Sequence, residues 1–115
     1  MLLYALIVFL VAACGGLVLA SFVLRGKLAP WVVSLLHALL GASGLLLLGA
    51  AILTAEHIGT LPVVALCVFL VTACFGFYLA WIHYGKRVAL KRVVLTHASF
   101  AVTGALLLIA AVAMQ

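Results

Sequence analysis

Four stretches of the chain, residues 2–24, 31–53, 62–84 and 93–114, contain no lysine, arginine, aspartate or glutamate. A helix needs about 20 apolar residues to cross the roughly 30 Å hydrocarbon core of a bilayer. Each stretch meets that length. The chain has 115 residues, 71% of them hydrophobic, and only six basic and one acidic side chain. So little polar material cannot cover a water-soluble fold. The expected fold is an all-α integral membrane protein, a four-transmembrane-helix up-down bundle. The connections, 25–30, 54–61 and 85–92, are short, so consecutive helices are expected to be antiparallel neighbours.

A net charge of +5 would suggest nucleic acid in a soluble protein. Its placement assigns it elsewhere, and no nucleic-acid partner is expected. Arg25 and Lys27 lie in the first connection, and Lys86, Arg87, Lys91 and Arg92 in the third. Glu56, the sole acid, lies in the second. Basic loops stay on the cytoplasmic side. The expectation is a multi-pass protein of a bacterial inner membrane, with loops 25–30 and 85–92 cytoplasmic and both termini on the periplasmic side. The basic residues would then meet anionic lipid headgroups.

The segment FLVAACGG, residues 9–16, reads at first like a lipoprotein cleavage box ending at Cys14. Sixty residues on stands FLVTACFG, residues 69–76. Residues 5–51 align with 65–111 without a gap, at roughly 22 identities in 47 positions. Self-similarity of that kind is a primary fold signal. The chain is therefore read as one membrane domain, 1–115, built from two tandem helical hairpins: repeat 1 over 1–55, with helices 2–24 and 31–53, and repeat 2 over 62–115, with helices 62–84 and 93–114. Cys14 has its twin, Cys74, deep inside the chain, which favours a retained first helix. A two-helix repeat preserves orientation across the membrane, so the copies are expected to be related by a twofold axis along the membrane normal.

Burial from water cannot drive helix association in lipid, so small residues and a few polar contacts must do it. Ala12-x3-Gly16-x3-Ala20 in the first helix is echoed by Thr72-x3-Gly76-x3-Ala80 in the third. Trp31, Trp81, Tyr84 and Tyr4 stand near expected helix ends, as an interfacial aromatic belt would.

The residues best suited to chemistry are His37 and His97, equivalent under the repeat. Polar groups at membrane depth are costly and default to a functional hypothesis. Two histidines on diagonal helices can both point at the shared axis and hold a ligand from two sides. Haem b is the natural candidate cofactor, because two imidazoles fill both axial positions of its iron. Gly41, Gly44, Ala101 and Gly104 share the histidine faces and are small enough to bed a flat macrocycle. Ser34, Thr96, Ser99 and Thr103 are candidate acceptors for the other ring nitrogens. His83 stands where the first repeat has Val23; it is a possible extra ligand or an interfacial side chain. The competing reading is that both histidines simply hydrogen-bond neighbouring helices. Cys14, Cys67 and Cys74 lack metal-ligand spacing and read mainly as apolar filler, although Cys14 and Cys74 could approach across the axis.

A histidine on each of two helices, in a chain of four, resembles the small bacterial membrane b-type cytochromes of the cytochrome b561 type. That resemblance implies one-electron transfer to a quinone or to a partner membrane subunit. The second histidine pair usual in that group has no counterpart here, since the outer side offers only His57, so at most one haem is expected. The alternative is a non-catalytic accessory subunit of a larger membrane complex or a homo-oligomer. A small transporter ranks lower, because no carboxylate lies within a membrane segment. Catalysis by the isolated chain is not expected: no nucleophile has a base and an orienting acid beside it.

The charge asymmetry makes a direct prediction. In a chain whose native cysteines are replaced by alanine, Glu56→Cys should react with a membrane-impermeant maleimide in intact cells, and Lys27→Cys only after lysis. The reverse pattern would invert the topology.

Overall fold

The computed structural model describes all 115 residues. Four helices make up the chain: α1 over Leu2–Leu24, α2 over Trp31–Thr54, α3 over Thr60–Tyr84 and α4 over Lys91–Ala113. Each is long and apolar enough to cross a membrane. At 1.5 Å per residue, 23 to 25 residues reach about 35 Å. The bundle measures 46 × 22 × 19 Å.

Two helices start earlier than their composition suggests. Pro62 occupies the third position of α3 rather than its first. In the first turn a proline gives up no intrahelical hydrogen bond, so the helix begins ahead of it. Lys91 and Arg92 belong to α4 rather than to the loop before it. That loop ends at Leu90, in extended backbone.

The helices follow chain order around a common axis. Packing is extensive within each hairpin, α1 on α2 and α3 on α4, and sparser at the two seams between hairpins, α1 on α4 and α2 on α3. No helix has a polar face. Leu17, Leu46, Phe77 and Leu106 point outward and are between 60% and 76% exposed. Apolar surface all round a helix is the pattern of a chain whose solvent is itself apolar.

Contacts recur 60 residues apart. Phe9 and Phe69 stack across the axis with ring centres 3.9 Å apart and planes 9° from parallel. Ala5 and Ala65, Leu48 and Leu108, and Ala51 and Ala111 surround them in one buried cluster. This cluster fills the half of the bundle nearer the Glu56 loop. Gly44 and Gly104 make room for the stack. A Cβ at 44 would lie 2.8 Å from the Phe9 ring, and one at 104 would lie 2.9 Å from the Phe69 ring. The space that the sequence suggested for a macrocycle at these two glycines is therefore taken by phenyl rings.

The turns at the other, basic end also match. After α1, the Gly26 amide donates to the Val23 carbonyl and the Lys27 amide to the Phe22 carbonyl. After α3, Lys86 and Arg87 make the same two bonds to His83 and Ile82. This is the Schellman ending, whose penultimate residue takes the left-handed conformation. Gly26 adopts it at φ 71° without penalty, while Lys86 adopts it at φ 54° with a side chain attached. The two endings set Lys27 and Arg87 at equivalent places.

The tight approach at Gly44 predicts a sharp contrast between neighbouring glycines. Gly44→Ala should destabilise the bundle by about 1–3 kcal/mol through overpacking. Gly41→Ala, where nothing lies within 4 Å of the new Cβ, should leave it unchanged or slightly firmer. Thermal denaturation in detergent reads both, and equal effects would contradict this account of the core.

Candidate functional site

His37 on α2 and His97 on α4 meet at the bundle axis, with ring centres 6.1 Å apart and planes 73° apart. Each ring is anchored by the same kind of bond. The His37 Nδ1–H donates to the Ala12 carbonyl on α1 at 2.8 Å. The His97 Nδ1–H donates to the Thr72 carbonyl on α3 at 3.0 Å. A carbonyl can only accept, so the protonated nitrogen is Nδ1. In the neutral ring, Nε2 then keeps its lone pair.

Local sequence explains why those carbonyls are available. A helical side chain leans toward the N-terminus and covers the turn before it. The residues four places after Ala12 and Thr72 are Gly16 and Gly76. With no side chain there, the carbonyl stays open and the imidazole drops onto the glycine. A Cβ at 16 would lie 3.1 Å from the His37 Cε1, and one at 76 would lie 3.2 Å from the His97 Cε1. The small-residue motifs of α1 and α3 thus do more than bring backbones together: each glycine is the seat of one histidine.

A cavity of about 100 Å³ lies on the basic side of the histidine pair. Its 18 lining residues fall into nine pairs, each 60 residues apart. Gly16 and Gly76, and Ala20 and Ala80, form its small-residue walls; Lys27 and Arg87 stand at its mouth. The chemistry of the pairs differs at two places. Ser34 stands opposite Val94, and His83 opposite Val23. The His83 Nε2–H donates to the Ala29 carbonyl at 2.9 Å, and its ring stands edge-on to Trp31 at 5.0 Å. His83 therefore ties the end of α3 to the first loop of the other hairpin.

The expected sites divide accordingly. His37, His97 and His83 all line one cavity. Gly41 and Ala101 lie one turn from the histidines on the side away from it, and Gly44 and Gly104 lie under the phenyl stack. The acceptors for the histidines are backbone carbonyls. The hydroxyls of Thr96, Ser99 and Thr103 instead bond back to carbonyls of their own helix. Cys14 and Cys74 do not approach each other across the axis; both are exposed on the outside of the bundle, as is Cys67. No group of three or more histidine, cysteine or acidic side chains gathers to hold a metal ion.

Two nitrogens remain for an axial ligand. Two imidazoles bonded to one metal through nitrogen at about 2.0–2.1 Å place their ring centres about 6 Å apart. The observed 6.1 Å between ring centres is of that order. The enclosed volume is below the roughly 300–1,000 Å³ typical of ligand sites. The cavity as it stands does not hold a macrocycle.

Comparison with protein-family models finds no match to this chain, and comparisons with curated proteins and with solved structures likewise find none.

Proposed function

We propose that the chain is a small multi-pass membrane protein that carries one b-type haem between His37 and His97 and serves one-electron transfer. In this reading it consists of two duplicated hairpins related by a twofold axis along the membrane normal. Its basic loops face the cytoplasm of a bacterial inner membrane.

One observation carries the reading. Two imidazoles on the axis, 6.1 Å between centres, each have Nδ1 committed to a carbonyl and Nε2 left over. A ligating histidine almost always donates its other ring nitrogen in this way, which fixes the tautomer and orients the ring. Haem, when bound, would supply reversible one-electron chemistry. The chain would supply orientation through Gly16 and Gly76, ligand nitrogens through His37 and His97, and a dry floor through Phe9 and Phe69. With one site on the basic side of the bundle, electrons would pass to a quinone or to a partner membrane subunit rather than across the whole bilayer.

A second reading has its own observation. The histidines already hold the bundle together, and Phe9 and Phe69 already fill the axis beyond them. On that basis the chain would be a non-catalytic accessory subunit of a larger membrane complex, with the histidines as interhelical struts worth about 0.6–2 kcal/mol each.

An absorption spectrum separates the two. Protein purified in detergent from cells given a haem precursor should show a sharp Soret band and, after dithionite, split α and β bands. His37→Ala and His97→Ala should each lose that spectrum. A colourless wild-type protein whose histidine variants lose only stability would establish the accessory reading.

A further inference from the structure

The two cations at the cavity mouth have no partner in the chain. Lys27 and Arg87 are equivalent under the 60-residue offset, and both line the cavity, whereas Arg25, Lys86, Lys91 and Arg92 do not. Each of the pair follows a Schellman ending, which fixes where its side chain starts. Arg87 is held further: its guanidinium lies over the Trp81 ring at 4.9 Å. Gly85 leaves room for it, since a Cβ there would stand 3.3 Å from the Arg87 Nε. The sole acidic side chain, Glu56, sits in the loop at the opposite end of a 46 Å bundle. Charges of one sign on low-dielectric walls focus their field into the cleft between them.

Ser34 adds an uncommitted donor. The hydroxyls of Ser43, Thr72, Thr96, Ser99 and Thr103 each donate to a carbonyl four residues back in their own helix. Ser34 makes no such bond, and it lines the cavity. No side-chain polar atom is buried without a partner, so its hydroxyl is accessible.

We infer that this mouth is an oxyanion site that takes one phosphate-type group on Lys27, Arg87 and Ser34. The charge excludes a metal cation, which would meet two positive side chains and no acid. A guanidinium fork pairs with two oxygens of one phosphate, an ammonium meets a third as a point charge, and two cations balance a dianion. The volume agrees: about 100 Å³ holds several waters, or one compact oxyanion in their place. The histidines close the inner end of the cavity and supply none of these donors, so the inference does not rest on the haem reading. The same phosphate chemistry can come from the free ion or from a lipid headgroup at this face of the bundle.

Calorimetry on protein freed of lipid in neutral detergent tests the site. Inorganic phosphate is titrated in with ionic strength held by sodium chloride. The wild type should bind it saturably, one per chain, and sulfate should compete. Lys27→Gln/Arg87→Gln should weaken binding about tenfold or more, the scale of hydrogen bonds between charged groups. Lys91→Gln/Arg92→Gln removes the same charges away from the cavity and should bind as wild type does. Ser34→Ala keeps every charge and should still weaken binding severalfold. A short-chain phosphatidic acid, added as monomer, separates the sources: tighter binding than inorganic phosphate at the same site assigns it to a lipid headgroup, and weaker binding assigns it to the free ion. No saturable binding of either probe to the wild type would overturn the site. Equal weakening by the two double variants, or wild-type binding by Ser34→Ala, would also overturn it, because general charge alone would then account for the attraction.

Discussion

A carbonyl inside a helix can take a second hydrogen bond from a neighbouring helix only where no side chain of its own helix covers it. The rest of this bundle depends on that condition being met twice, at Ala12 and at Thr72. Gly16 and Gly76 leave the two carbonyls open, and an imidazole from the neighbouring helix closes each. In an environment with almost no other polar group, an unsatisfied histidine would cost more than the bond gains. The glycine and the histidine are therefore one device, split between two helices of a hairpin. It sets how closely α1 approaches α2 and α3 approaches α4. It also determines which ring nitrogen is free.

The histidine level divides the bundle. Toward the Glu56 loop the axis is closed by the phenyl stack and its aliphatic collar. Toward the basic loops it opens into a cavity walled by glycine and alanine. Close packing at one end holds the hairpins in register, which allows the other end to stay loose without the bundle dissociating. The sparser seams between hairpins are the natural place for such a structure to yield to a ligand. His83, bonded across one of them to Ala29, has no equivalent at the other, where Val23 stands. The two seams are therefore chemically unequal.

Much of this was legible in the sequence. Four charge-free stretches located the helices; the starts of α3 and α4 shifted by two residues, and the ends of α2 and α4 by one. Both shifted starts have local causes, a proline tolerated in a first turn and two basic residues that wind into the helix. The histidine pair was legible because the repeat placed His97 on His37. The partners of those histidines were not, because they are backbone carbonyls and carry no residue label. Of the candidate hydroxyls, those of Thr96, Ser99 and Thr103 bond within their own helix, and Ser34 lines the cavity. The phenyl stack was hidden for a related reason. Phe9 and Phe69 meet across the axis from α1 and α3, and in helices apolar on every side no pattern separates an inward ring from an outward one. The same ambiguity let Cys14 and Cys74 be imagined facing each other, when both lie on the outside. Gly44 and Gly104 were recognised as making room, but the occupant of that room was not.

The central claim is that His37 and His97 hold one group between them. The most direct measurement is electron paramagnetic resonance of the oxidised wild-type protein, with its haem content determined on the same sample. Two imidazole ligands make ferric iron low-spin, so the account predicts one haem per chain and a low-spin signal with no high-spin component. A high-spin signal would leave only one histidine on the iron. Absence of haem would leave the pair as struts, and either result would contradict the claim.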